Sequence, residues 1–344
     1  MVEATFDVAA HSQSLVGHYY RADGYYEVGR EKVREYARAV QDYHPGHWSE
    51  DAADALGYPG LVTPVTFLSI PAMLANRRLF EKVVTGYDVY VQTDQVFEVY
   101  KPTVAGDRLI SDVELSSVRR IAGKDLLTVK NTFLDESGEA TQVMYTTVVG
   151  ITAEEVGTGA REAIERVVMH GVEMMSGSAD PGDGTATAEA PEVKLSQAGR
   201  TRAPGSVKFE DVAVGDELPP RFAQLTRGDL VNYAGVAGDA NPIHWHEGSA
   251  AAAGLPDVIA HGMLTMGLGA GFVTSWLGDP GALTRYGVRL ANYAIVDAET
   301  VGTIEFTGRV KSLDPETRSA TVVIVAKSGG RKIFGLATAD VRLA

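Results

Sequence analysis

The feature that most constrains this chain is an internal repeat. Adding 197 to the residue numbers of segment 36–59 brings Tyr36 onto Tyr233, Asp42 onto Asp239, Pro45 onto Pro242, His47 onto His244 and Trp48 onto Trp245. Ala37, Glu50, Ala53, Ala55, Gly57 and Pro59 also find their like, giving 11 identities in 24 ungapped positions. Unrelated segments would share about one to three, so the chain reads as two copies of one fold.

What lies between the copies reads as a tether. Residues 176–204 are rich in Ala, Gly, Ser, Thr and Pro and hold few large apolar side chains, the mark of a flexible linker. Just ahead, Ile164, Val167, Val168, Val172 and Met175 recur at helical spacing, which predicts an amphipathic helix over about 159–175. The expected organisation is an N-terminal module at 1–152, helix plus linker at 153–204, and a C-terminal module at 205–344.

Each copy carries the same order of signals. A helix (30–40 and 227–237) leads into the Asp/His loop, and a long apolar helix follows (64–77 and 261–276). Segments 109–118, 126–134 and 143–151 then alternate polar and apolar residues, as do 303–313, 319–328 and 332–344. Period-2 alternation broken by glycine-containing turns predicts an antiparallel meander, and a meander with one long buried helix is an α+β arrangement. The segment 261–276 is apolar almost all round and holds Gly267, Gly269, Ala270 and Gly271, as a helix wrapped by a sheet requires.

Charge narrows the partners. The net charge is −14: residues 1–152 contribute −7, 153–204 contribute −4 and 205–344 contribute −3. That balance argues against nucleic acid, which needs a basic surface, and mildly against anionic membranes. No apolar run approaches the roughly 20 residues of a membrane span. The acidic N-terminus lacks the basic start of a signal peptide, and there is no cysteine. A cytoplasmic location is expected.

The strongest chemical signal is Gly238-Asp239-Ala240-Asn241-Pro242-Ile243-His244-Trp245. Pro242 stiffens this loop, so a carboxylate and an imidazole can face one small volume. Such a pair can remove the proton α to a thioester and assist loss of a β-hydroxyl, with Asn241 orienting a partner. A helix-terminal Asx turn beside a structural histidine gives the same local sequence. The second signal is His261-Gly262 at a helix start, where free N–H groups and an uncrowded glycine can hold an enolate oxygen. A plain helix start also accommodates such a glycine.

YAGVAGDANPIHW followed by AHGMLTMG resembles the R-specific hydratase motif of the MaoC-like, hydratase-2 hot-dog family. From VKFEDVAVGDELPP to KIFG, the second module is similar to the B subunit of the mycolic-acid-pathway (3R)-hydroxyacyl-ACP dehydratase. The first, with VGHYY, YYEVGREKVREYA, GLVTPVTF and KPTVAGDRL, resembles the A subunit, so the chain resembles a fusion of the two. The resemblance implies a double hot-dog fold paired within one chain as a pseudo-heterodimer, with higher oligomers open. It implies Asp239 and His244 as the catalytic pair, Asn241 in support and Gly262 supplying the oxyanion N–H. The implied activity is the reversible dehydration of (3R)-3-hydroxyacyl thioesters, without cofactor, in fatty or mycolic acyl chain elongation. Its substrates would be acyl-ACP or acyl-CoA, and its partners the acyl carrier protein and other elongation enzymes. The alternatives are an R-specific enoyl-CoA hydratase of fatty acid breakdown or polyester precursor supply, and a non-catalytic acyl-thioester binding protein.

The first module departs from the motif. It keeps Asp42 and His47, but Gln41, His44, Pro64 and Val65 stand where the second has Gly238, Asn241, His261 and Gly262. Proline lacks an N–H and valine crowds the approach, so this degenerate second site is expected to be silent and its module to shape the acyl-chain pocket. Trp48, Trp245, Met263 and Met266 are expected in the core. His246 lies beside His244, but no third ligand stands at a recognisable spacing, so no metal site is expected. Arg285, Arg289, Lys327, Arg331 and Lys332 read as a candidate carrier or nucleotide patch, or as scattered solvated charge.

Overall fold

The computed structural model of the chain describes residues 7–22, 24–152, 158–168, 192–196 and 207–344. The first pass runs α1 (Val8–Ser14), β1 (Tyr19–Arg21), β2 (Tyr26–Glu27), α2 (Arg30–Ala39), α3 (Glu50–Ala55) and α4 (Ser69–Lys82). It continues with β3 (Val89–Val99), β4 (Arg108–Ile121), β5 (Lys124–Leu134) and β6 (Ala140–Ile151). After α5 (Thr158–Glu165), the second pass runs β7 (Glu217–Leu225), α6 (Arg227–Ala237), α7 (Glu247–Ala252) and α8 (Gly262–Leu277). It ends with β8 (Leu283–Leu290), β9 (Gly302–Asp314), β10 (Ser319–Ser328), β11 (Arg331–Lys332) and β12 (Phe334–Arg342).

The strands join in the order β1-β4-β5-β6-β3-β8-β12-β10-β9-β7, with β2 on β4 and β11 on β10. Read outward from the middle, β3-β6-β5-β4-β1 matches β8-β12-β10-β9-β7. The chain is therefore two hot-dog domains sharing one antiparallel sheet. The seam is the β3–β8 ladder, from Asp94 opposite Arg289 to Glu98 opposite Arg285. Both arginines are ion-paired there, Arg289 to Asp94 at 2.8 Å and Arg285 to Glu98 at 3.7 Å, which removes them from any free basic patch.

The alternation read in the sequence is a burial pattern. In β10, Ala320, Val322, Ile324 and Ala326 are buried while their neighbours are half-buried. Helix α8, with 13 of its 16 residues buried, is the helix the sheet wraps. Its glycines permit the contact: a Cβ on Gly269 would lie 2.6 Å from the Tyr286 hydroxyl, and one on Gly267 would lie 2.6 Å from Val40 of the other half. The first half differs. Its helix α4 begins five residues later than the expected position 64. Pro71 explains the shift, because proline fits only the first turn of a helix and would lie in the interior of one begun at 64, whereas it occupies the first turn of α4.

Further bonds cross between the halves. Tyr58 donates to Asp279 at 2.6 Å, Gln41 Nε2 to the Gln224 carbonyl at 2.7 Å and His44 Nε2 to the Gly278 carbonyl at 3.1 Å. Tyr36 and Tyr233, related by the repeat, meet with ring centroids 6.2 Å apart. Buried Ile164 belongs to the described part of the amphipathic helix, whose Ala163 carbonyl accepts from Ser249 of α7. The helix stops at Glu165, short of the expected 175: the Val167 and Val168 N–H groups both turn back to the Ile164 carbonyl, and residues 169–175 and most of the linker lie outside the described residues. Residues 192–196 run beside β6, with the Ser196 N–H donating to the Ala140 carbonyl at 2.9 Å. Among the described residues no helix is long and apolar enough to cross a membrane.

Candidate active site

The site begins where α6 ends. Gly238 closes that helix with φ +76°, the left-handed conformation that glycine adopts at low cost. The turn throws Asp239 out of the helix. Its carboxylate accepts from the Asn241 N–H at 3.3 Å, and Asn241 Oδ1 accepts from the Ile243 N–H at 3.2 Å. Pro242 then starts a single 3₁₀ turn that ends on His244. Trp245 locks the loop from below, its indole N–H donating to the Ala240 carbonyl at 3.2 Å. Asn241 thus shapes the loop through its own turn.

His244 Nδ1 lies 2.8 Å from the Ile259 carbonyl and can only donate to it, which leaves the Nε2 lone pair free. Burial pushes the imidazole below the usual histidine range, against the opposing pull of Asp239 and that carbonyl. A neutral imidazole with a free Nε2 is a base. Gly262 opens α8, so its N–H has no partner within the helix. A side chain there would enter the space between Leu290 and Gln92, its Cβ 2.9 Å from Leu290 Cδ1.

Asp239, Asn241, His244 and Gly262 share one cavity of about 580 Å³. The opposite wall comes from the first half: Ser69, Ala72, Met73, Asn76 and Phe80 of α4, Val89 to Thr93 and Gln95 of β3, and Met144, Thr146 and Val148 of β6. The polar members of that wall bond to one another, Gln92 Nε2 and Thr146 Oγ1 both donating to Gln95 Oε1 at 2.8 Å. Met263, expected in the core, also lines the cavity and accepts from Gln92 through its sulfur at 3.7 Å. Met266 is fully buried, as expected.

The counterpart loop is closed. Asp42 and His47 are buried and form an ion pair at 3.3 Å, and His47 Nδ1 is held by the Val62 carbonyl at 2.6 Å. Burial opposes both charges, yet each partner overcomes it for the other: the Asp42 carboxyl lies below its usual range and His47 above. Arg221 reaches over from the second half, donates to the Gln41 carbonyl and adds its charge beside Asp42. Gly271 of α8 presses on the same spot, since a Cβ there would lie 3.1 Å from both Arg221 and Asp42. Neither Asp42 nor His47 lines the cavity.

Sequence spacing offered no third metal ligand, but the fold brings one in. His261 joins Asp239 and His244 with one ligand atom each within 4.8 Å of one another. Its ring stacks on His244 with centroids 3.9 Å apart and planes at 28°, so the in-plane lone pairs run nearly parallel and converge poorly on one ion. His246 faces elsewhere, capping α7 through Ser249.

With this geometry in view, comparison with known proteins is informative for both halves. The model of the FAS1-like dehydratase domain region matches residues 14–144, and that of the MaoC-like domain matches residues 212–328. A solved structure titled MaoC-like dehydratase is 59% identical, covers 97% of this chain and 100% of its own, and superposes with a TM-score of 0.89. A UPF0336 protein of Mycobacterium tuberculosis is 41% identical over 146 residues, 42% of this chain and 92% of its own length. A conserved hypothetical protein from Mycobacterium tuberculosis, described as a double hotdog fold, shares only 13% identity at a TM-score of 0.64 over 98% of this chain, a likeness of fold alone.

Proposed function

We propose, from the premise that this chain belongs to the MaoC-like dehydratase family and is a hydro-lyase, that it interconverts (3R)-3-hydroxyacyl and trans-2-enoyl thioesters with Asp239 and His244. The observation that carries this reading is the single cavity in which a carboxylate, a free imidazole nitrogen and a helix-start N–H face one wall. The thioester carbonyl accepts from the Gly262 N–H, which stabilises the negative charge that gathers on that oxygen. His244 Nε2 takes the α-proton. Asp239 holds the β-hydroxyl, which leaves as water with a proton returned from the pair as the double bond forms. Charge balances over the cycle, and the residues need no bound cofactor.

The first half serves as wall. Met73, Phe80, Val89 and Met144 give an acyl chain an apolar surface, while the buried Asp42–His47 pair takes no part. Carrier-bound substrate is favoured at the entrance. Asn292 and Tyr293 line the cavity, Arg331 lies 6.0 Å from the Tyr293 ring, and Asn292 bonds to the Lys332 carbonyl. Arg77 lines the same cavity from the other side. Cations there suit the phosphate of a pantetheine arm and an acidic carrier protein, in keeping with the resemblance to a (3R)-hydroxyacyl-ACP dehydratase.

The test is loss of enoyl absorbance on adding the protein to crotonyl-CoA and to a long trans-2-enoyl-CoA, then to the matching acyl-ACP. Turnover of only the long substrate assigns the wall to chain recognition. Failure on all three substrates removes this reading.

A further inference from the structure

Behind the proposed catalytic pair stands a histidine that the reaction does not touch. His261 is fully buried at the N-terminus of α8, makes no side-chain capping bond, and does not line the cavity. Neither ring nitrogen has a hydrogen-bond partner. The Asp239 main-chain carbonyl lies near enough to favour a charged ring, yet no well-formed hydrogen bond closes. One face of the ring stacks on His244 at 3.9 Å, and Tyr233 packs against it at 4.8 Å.

That arrangement is costly for a packing residue. Leaving buried polar atoms without partners carries a desolvation penalty that an apolar aromatic ring of similar size avoids. The fold itself does not demand an imidazole, because the repeat-related residue is Pro64. His244 meanwhile has a single hydrogen bond, to the Ile259 carbonyl, and one bond leaves a ring free to swing about it. A second ring laid on its face removes that freedom.

We propose that His261 is a positioning residue: its ring fixes the plane of His244, and the polar approach of the ring to the Asp239 main-chain carbonyl, short of a hydrogen bond, keeps the acid's loop against the helix that carries Gly262. The inference rests on the function proposed above. Because His261 lies outside the cavity, its effect falls on kcat and leaves substrate binding alone. A displacement of about 1 Å in a reacting group can cost on the order of 10²-fold in rate.

The experiment compares the full-length wild type with His261→Phe, which keeps an aromatic ring and removes both nitrogens. The expected result is a kcat lower by about 10–100-fold, KM within about twofold, and an unfolding midpoint equal to or above that of the wild type. An unchanged kcat overturns the proposal, as does a loss of kcat that follows loss of folded protein. If His261→Phe does not fold, His261→Asn takes its place, keeping a donor for the Asp239 carbonyl without a ring. Its kcat should fall between those of wild type and His244→Ala at unchanged KM, and a wild-type kcat or a raised KM overturns the proposal. Should the wild type turn over no thioester, the functional reading fails on its own. Stability then decides here: a His261→Phe protein less stable than wild type shows that the imidazole serves the fold, and one more stable supports a role beyond it.

Discussion

Two loops that share their Asp, Pro, His and Trp end in opposite states. In the first half Asp42 and His47 are buried and joined as an ion pair at 3.3 Å, covered by Arg221 and by α8 of the other half. In the second, Asp239 and His244 face a cavity of about 580 Å³, and among the described residues no ion pair joins them. An Asp–His pair can neutralise itself or wait for a substrate, and the surroundings decide which. The closed loop lost the glycine at the helix start and gained a cation over its carboxylate. The open loop kept Gly262 and has a wall supplied by the other half.

The comparison can be broken by removing each histidine. His244→Ala should lower kcat for enoyl hydration by about 10²–10⁴-fold with little change in unfolding free energy. If the two loops acted alike, His47→Ala would do the same, whereas we expect its kcat per folded molecule to stay within about twofold of wild type.

Stability should show the reverse. Asp42→Ala leaves His47 and Arg221 without their buried counter-charge, and denaturant unfolding should show a loss of about 3–5 kcal/mol. An Asp42→Leu/His47→Leu double variant should recover most of that loss, since a buried pair is often replaced by apolar packing without penalty. A double variant that folds well but is inactive would show the first loop to be catalytic after all.

Gly262→Val copies Val65 into the open site. It should cost about 10²–10³-fold in kcat, the usual effect of losing an oxyanion donor's access. The reciprocal Val65→Gly should create no activity, because Asp42 and His47 remain closed on each other. A Val65→Gly/His244→Ala protein that turns over faster than His244→Ala alone would contradict this.

Titration separates the loops by sign. His244 is held below the usual histidine range, so kcat/KM should keep its base form below about pH 6.5 and fall only at lower pH. His47 is raised, so its contribution to stability is complete below about pH 6.5 and is lost as pH rises through its folded value. Asp42 is lowered, so its contribution is present above about pH 4 and is lost as pH falls through its folded value. The Asp42–His47 pair therefore stabilises most between about pH 4 and 6.5, and the double leucine variant should flatten that part of the stability profile.

The smallest effect concerns how each helix ends. Gln41 stands at φ +51° where the second loop has Gly238 at φ +76°. Gln41→Gly relieves about 1 kcal/mol of backbone strain and forfeits a hydrogen bond to the Gln224 carbonyl of similar worth. Thermal unfolding should shift by no more than a few degrees.

Much of this was legible before any coordinates. Helices α2 and α6, the outer strands β4, β5, β9 and β10 and the wrapped helix α8 fall close to where their periodicity put them, because burial on one face writes itself into the spacing of apolar residues. Strands β3 and β8 were not singled out. Their middles carry Gln92, Thr93, Asp94 and Gln95, and Arg285 and Arg289, side chains that look solvated in one dimension and are paired across the seam or turned to the cavity in three. For the same reason Arg285 and Arg289 read in the sequence as a candidate patch or scattered solvated charge, whereas each is ion-paired across the seam. Met263 is in the core as its apolar helix implies, but the helix gives no sign that this residue also borders a cavity, and His261 stands out in the sequence only as the residue before Gly262.

The sequence by itself determined the repeat, the double fold and the set of groups that can do chemistry, because these depend on residue identity and local spacing. It named Asp42 and His47 alongside Asp239 and His244 and, from Pro64 and Val65, set the first pair down as silent, without showing what packs on either pair. Only the tertiary structure decided that one pair is sealed and the other faces a cavity. Arg221, Gly271 and Gln92 set that difference, and all three reach their loops from the opposite half. Solvation, counter-charge and free volume are properties of the packed surroundings, and no local pattern records what will be packed there.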